Sequence, residues 1–98
     1  MGILSRLFGL PDKGDLRDKI NNGALLLDVR TKEEYVAGHV EGAVNIPVSD
    51  LEGEIVMISK DSPVIVVCES GVRSAHAVKV LNNNGFKAYN GGSWRSYK

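Results

Sequence analysis

Residues 64–81 read VIVVCESGVRSAHAVKVL, and the fold turns on this stretch. Its first five residues form an unbroken apolar run after Pro63, the pattern of a strand covered on both faces, as in a parallel sheet. From about Arg73 to Asn83 the spacing becomes helical. Ala77, Val80 and Leu81, with Val78 and Ala75, fill a broad apolar arc, and His76, Lys79 and Asn83 share the opposite face. A strand that passes through a short glycine-containing loop directly into a helix is a building unit of α/β domains. The single cysteine, Cys68, falls at the carboxyl end of that strand, where ligands bind in open α/β sheets.

The same alternation continues on both sides. ALLLDV (24–29) reads as a second buried strand, and in the TKEEYVAG that follows, Thr31 and Glu34 have capping-box spacing, with Gly38 as the stop. GAVNIPV (42–48) reads as a short strand closed by Pro47. Ser49 and Glu52 repeat the capping-box spacing ahead of LEGEIVMIS (51–59), a helix weakened by Gly53. LRDKI (16–20) predicts a short helix ended by Asn21, Asn22 and Gly23, and FKAYN (86–90) predicts a last strand after Gly85. PDKGD (11–15) is a breaker cluster that sets off MGILSRLFGL, where Ile3, Leu4, Leu7 and Phe8 lie at helical spacing. The expectation is therefore an amphipathic segment over 1–13 and a single α/β domain over 14–98. Its central sheet should be mostly parallel and flanked by helices.

Composition narrows the function classes. A chain of 98 residues, 43% hydrophobic, has room for one modest core. Twelve basic residues balance twelve acidic ones without a basic run, which argues against a nucleic-acid partner and for a small molecule or a protein. One cysteine cannot form an internal disulfide, so a cytoplasmic setting is expected. No apolar run approaches the roughly 20 residues of a membrane helix. No secretion signal is expected from the start, and Arg6 stands where N-myristoylation wants Ser or Thr. Membrane contact through residues 1–10 is the lesser reading of that segment; a short helix packing on its own domain is the greater. A monomer or weak dimer is expected.

The loop after Cys68 carries the chemistry. In ESGVRS, successive backbone N–H groups can converge with the unsatisfied N–H groups of the helix's first turn, and such a bowl favours an anion. Gly71 supplies permissive dihedrals, and Arg73 adds a positive charge. These groups should lower the pKa of the Cys68 thiol and make its thiolate a nucleophile. An inert buried cysteine is the plain alternative; the loop, Arg73, Ser74 and the helix start weigh against it. Ser74 either donates its hydroxyl to the sulfur or caps the helix. Asp28 and Arg30, flanking a strand end, either lock the loop or pair with each other, and a supporting role is expected. His39 reads as structural and His76 as solvated; neither has a second ligand at metal spacing.

With these residues in view, the chain resembles the single-domain rhodaneses from about Leu16 to Trp94. LLLDVRTKEEYVAGHVEGAVNIP (25–47) is similar to the family's first signature, and CESGVRS to its active-site loop. The resemblance implies a parallel sheet flanked by helices and transfer of a sulfane sulfur through a persulfide on Cys68, with Glu69, Ser70, Gly71, Val72 and Arg73 completing the loop. It implies no metal or organic cofactor. The partners it implies are a thiosulfate or persulfide donor and a thiol or cyanide acceptor, with a protein acceptor as a further option. Two features depart from the family pattern. Trp94 follows Gly91 and Gly92 by only two residues, so C-terminal packing should differ, and Glu69 beside the nucleophile argues against thiosulfate as the physiological donor.

Two other classes compete with sulfur transfer. Cysteine phosphatases and arsenate reductases on a related fold place five residues between Cys and Arg, whereas four separate Cys68 from Arg73 here. A non-catalytic rhodanese-like module for protein binding or redox sensing is the other reading, and the retained cysteine and intact loop weigh against it.

Overall fold

Strand β3 (Val64–Cys68) runs through the middle of the computed structural model, which describes residues 13–98. All five of its residues are buried. It pairs with β1 (Leu25–Asp28) on one side and β4 (Ala88–Ser93) on the other, and β1 also pairs with the two-residue strand β2 (Val44–Asn45). Every pairing is parallel, in the order β2-β1-β3-β4. The sheet is the α/β architecture expected from the unbroken apolar runs. Of the amphipathic segment expected over 1–13, residues 1–12 lie outside the described residues.

Helices α1 (Lys13–Asn21), α2 (Lys32–Ala37), α3 (Leu51–Glu54) and α4 (Val72–Asn83) pack around the sheet, with single 3₁₀ turns at Val48–Asp50, Ile55–Met57 and Trp94–Tyr97. No helix among the described residues is long and apolar enough to cross a membrane. Strand side chains alternate between faces, so the sheet divides the core in two. Val64, Val66 and Cys68 join Leu27, Val29, Ala77 and Leu81 in one cluster, on the α4 side. Ile65 and Val67 join Leu16, Leu26 and Trp94 in the other.

The Thr31–Glu34 capping box forms as its spacing predicts. The Glu34 N–H donates to Thr31 Oγ1 at 3.2 Å and the Thr31 N–H donates to Glu34 Oε1 at 2.9 Å. What ties α2 to the sheet is Arg30. Its Nε and Nη2 donate to the Asp28 carboxylate at 3.0 and 2.7 Å, while Nη2 also reaches the Gly38 carbonyl at 2.7 Å and Nη1 the Glu34 carbonyl at 3.3 Å. The pair is buried, with 3% and 0% of the two side chains exposed. Asn45 Nδ2 closes the same corner by donating to the carbonyls of Asp28 and Arg30.

Three local expectations shift. The Ser49–Glu52 box does not form, because Pro47 already starts a 3₁₀ turn at Val48 and Ser49 lies inside it rather than at a helix boundary. The segment around Gly53 then breaks into short turns that leave Val56 and Met57 exposed. The last strand begins at Ala88, two residues later than FKAYN predicts, since Phe86 turns into the core and its N–H bonds the Leu81 carbonyl of α4.

Strand β4 carries the glycine pair within it. Its register with β3 passes from Val66↔Asn90 to Val67↔Gly92, so Gly91 bulges out of the ladder. A Cβ on Gly91 would sit 3.0 Å from Val67 Cγ1, 3.1 Å from Ile65 Cγ2 and 3.1 Å from Tyr97 Oη. Gly91→Ala should therefore cost about 1–3 kcal/mol of overpacking, read as a lower urea midpoint. Arg30→Met should cost more, about 3–5 kcal/mol, because the Asp28 carboxylate is left buried without its partner. A midpoint unchanged in Arg30→Met would show that the pair does not hold this corner.

Candidate active site

Cys68 ends β3, and its side chain takes the α4 side of the sheet by the same alternation that places Val64 and Val66 there. The chain must then reverse to start α4 above the sulfur. Gly71 makes the reversal at φ 104°, a conformation that side chains disfavour, and it serves as the N-cap of α4. The geometry brings the Gly71 N–H to 3.0 Å from Cys68 Sγ, the Ser74 N–H to 3.4 Å and Ser74 Oγ to 3.4 Å. Burial of the thiol opposes its ionisation. The N–H groups of Ser74, Gly71 and Ser70, together with the Ser74 hydroxyl when its proton is turned to the sulfur, outweigh that, and its pKa falls below the ordinary thiol value. No hydrogen bond within the described residues occupies the N–H groups of Val72 and Arg73, so the first turn of α4 keeps donors open at the loop.

The charged residues of the loop are held by partners other than the sulfur. Arg73 grips Glu34 of α2 with both ends of its guanidinium, Nη1 to Oε1 at 2.6 Å and Nη2 to Oε2 at 3.0 Å. Arg73 first, then the Thr31 N–H, holds the Glu34 carboxyl down at about 2. Glu34 thus caps α2 and clamps α4 at once. Glu69 accepts hydrogen bonds from Trp94 Nε1 at 3.1 Å and from Arg95, and these two partners, Arg95 foremost, lower its pKa. Ser70 and Val72 are exposed on the rim, Val72 by 75%, whereas Ser74 is fully buried beneath it.

Asp28 and Arg30 make no hydrogen bond to the loop. Asp28 shares the parity of Leu26 and so faces the Trp94 side of the sheet, where the Arg30 guanidinium lies 4.3 Å from the Trp94 ring. Their influence on the loop runs through that ring to Glu69, and through α2 to Glu34 and Arg73. Beside the loop, Arg30, Glu34, Glu69, Trp94 and Arg95 line an open depression of about 360 Å³.

Sequence reasoning did not single out Asn90. Its Oδ1 accepts the Ser74 hydroxyl at 2.7 Å, and its Nδ2 donates to the Gly71 carbonyl at 3.0 Å. An asparagine directly before a glycine pair was the available signal, but only the bulge at Gly91 explains how it comes to lie against the loop. Arg95 escaped notice for a similar reason, since its partner is 26 residues away along the chain.

Comparison with known proteins agrees with this arrangement. A model of the Rhodanese-like domain family matches residues 12–97. The Bacillus subtilis protein YqhL is 44% identical over 62 residues, covering 63% of this chain, and the chain spans about half (49%) of YqhL's length. The putative sulfurtransferase YtwF of the same organism is 35% identical over 77 residues, covering 76% of this chain and 75% of YtwF. Among solved structures, a rhodanese-like domain protein from Staphylococcus aureus superposes with a TM-score of 0.75 at 30% identity, over 87% of this chain and 85% of that one. Sequence, strand order and the placement of a cysteine beneath a helix start lead to one conclusion: the chain belongs to the rhodanese-like domain family.

Proposed function

We propose that the chain is a sulfurtransferase in which Cys68 carries the sulfur as a persulfide. The observation that carries this reading is the convergence of neutral donors on one thiol: the Gly71 and Ser74 N–H groups lie 3.0 and 3.4 Å from the sulfur, and no charged side chain bonds to it. The Cys68 thiolate attacks the outer, sulfane sulfur of thiosulfate or of a low-molecular-weight persulfide. A new S–S bond forms, the donor's own S–S bond breaks, and its electron pair leaves on sulfite or on a thiolate. The persulfide's negative charge then rests on its outer sulfur, for which the N–H groups of Val72 and Arg73, left without a hydrogen-bond partner in the first turn of α4, would be the donors. An acceptor thiolate or cyanide attacks that sulfur, and Cys68 leaves as thiolate. A protein thiol is an acceptor of the same chemistry. The relationship to YtwF, a putative sulfurtransferase, supports the class.

Phosphoryl transfer is the weaker reading. It needs an arginine free to hold a tetrahedral oxyanion, and here Arg73 is bound at both ends of its guanidinium to Glu34.

Incubation with thiosulfate or a persulfide donor should add one sulfur to the intact mass, located on Cys68. Cys68→Ser should keep the fold while turnover falls about a thousandfold or more. Unmodified mass with every donor, or retained turnover in Cys68→Ser, would overturn the proposal.

The Glu69–Arg95 pair predicts donor selectivity. Arg95→Ala should release the Glu69 carboxylate to repel dianionic thiosulfate, lowering kcat/KM for that donor by about twofold to fivefold at low ionic strength. A persulfide whose charge lies away from its reacting sulfur should change less, and high salt should erase the difference. Equal losses for both donors would show that the pair does not govern donor choice.

A further inference from the structure

The carboxamide of Asn90 is fixed at both ends. Nδ2 donates to the Gly71 carbonyl at 3.0 Å, while Oδ1 accepts from the Gly92 N–H at 2.9 Å and from the Ser74 hydroxyl at 2.7 Å. Turning the amide over would set its NH₂ against the Gly92 N–H and its oxygen against the Gly71 carbonyl. The oxygen therefore faces Ser74.

A serine hydroxyl has one proton to give. With that proton on Asn90 Oδ1, Ser74 Oγ presents only lone pairs to Cys68 Sγ, 3.4 Å away. This suits the thiol, whose S–H can donate to Oγ. It does not suit the thiolate, which needs the proton turned toward it. Ser74 is fully buried, so solvent does not supply a substitute donor.

We infer that Asn90 is a positioning residue that competes with the Cys68 sulfur for the single proton of Ser74 and so restrains the nucleophile. The role in catalysis rests on the sulfurtransferase reading above. When Cys68 becomes a persulfide, the charge moves to the outer sulfur, the inner sulfur no longer needs the proton, and Ser74 can return it to Asn90. The competition thus favours the sulfur-loaded state over the free thiolate.

The charged groups around the sulfur are otherwise engaged. Arg73 on α4 is paired with Glu34 on α2, Asp28 on β1 with Arg30, and Glu69 in the loop with Arg95 of the C-terminal turn. His76 on α4 and Asp50 in the turn before α3 are exposed. β4 presents no charged residue.

The test is the pH dependence of iodoacetamide alkylation, which reads Cys68 alone because it is the only cysteine. It needs no sulfur donor, so its outcome stands apart from whether the chain transfers sulfur. Asn90→Ala should free the Ser74 proton for the sulfur, move the alkylation midpoint to lower pH and raise the rate below the midpoint about threefold to tenfold, the value of one hydrogen bond. Ser74→Ala should move the midpoint up, and Asn90→Ala added to Ser74→Ala should then move it no further. Asn90→Asp, a milder change in shape, should raise the midpoint in the wild-type background and by less in Ser74→Ala. A midpoint raised by Asn90→Ala is what a residue that merely buttresses Gly71 would produce, and it would overturn the inference. Equal shifts in both backgrounds, for either substitution, would also overturn it.

Discussion

The buried contact between Arg30 and Asp28 is the point from which both sides of the active loop are braced. One guanidinium satisfies the Asp28 carboxylate, the Gly38 carbonyl and the Glu34 carbonyl, and so fixes α2 against the end of β1. From α2, Glu34 reaches across to Arg73 at the start of α4. From the guanidinium's other face, the Trp94 ring extends the brace to Glu69. Burying such a pair brings little net stability, because desolvation opposes the attraction. Its value here is positional: it holds α2, and through Glu34 the first turn of α4, against the end of β1.

With the frame held, the placement of the sulfur follows from two properties of strands. Alternation puts Cys68 on the same side as Val64 and Val66, under α4, while Asp28 takes the opposite side. The bulge at Gly91 then shifts β4 by one residue against β3, so that Asn90 stays opposite Val66 while Ser93 comes opposite Cys68. Within the bulge, the Gly92 N–H donates to Asn90 Oδ1 and so orients the Asn90 amide.

The electrostatics of the loop are those of neutral donors rather than of a bare cation. Arg73 is the charged residue nearest in sequence to the helix start, yet its guanidinium is committed to Glu34, and Glu69 is committed to Arg95 and Trp94. What remains for an anion at Cys68 is a set of N–H groups and one hydroxyl. Such donors suit a large, polarisable sulfur that gains and loses a single charge, and they leave fine control to the partner of that hydroxyl.

The sequence by itself determined the elements whose causes are local. Unbroken apolar runs at Leu25 and Val64 specify strands buried on both faces, the Thr31–Glu34 spacing specifies a helix start, and a cysteine followed by a glycine-containing loop specifies a thiol under a helix N-terminus. Where a local signal was overridden, the cause was also local but unread: Pro47 starts its turn before Ser49 can cap a helix. Only the tertiary structure decided the pairings. Glu34 with Arg73 lies 39 residues apart in the chain, Glu69 with Arg95 26, and Ser74 with Asn90 16. Each side chain had several partners of matching charge or hydrogen-bonding capacity within the chain, and periodicity does not rank them. The choice was made by strand order, side-chain parity and one bulged glycine, which together set the few polar groups that can meet at the carboxyl end of β3.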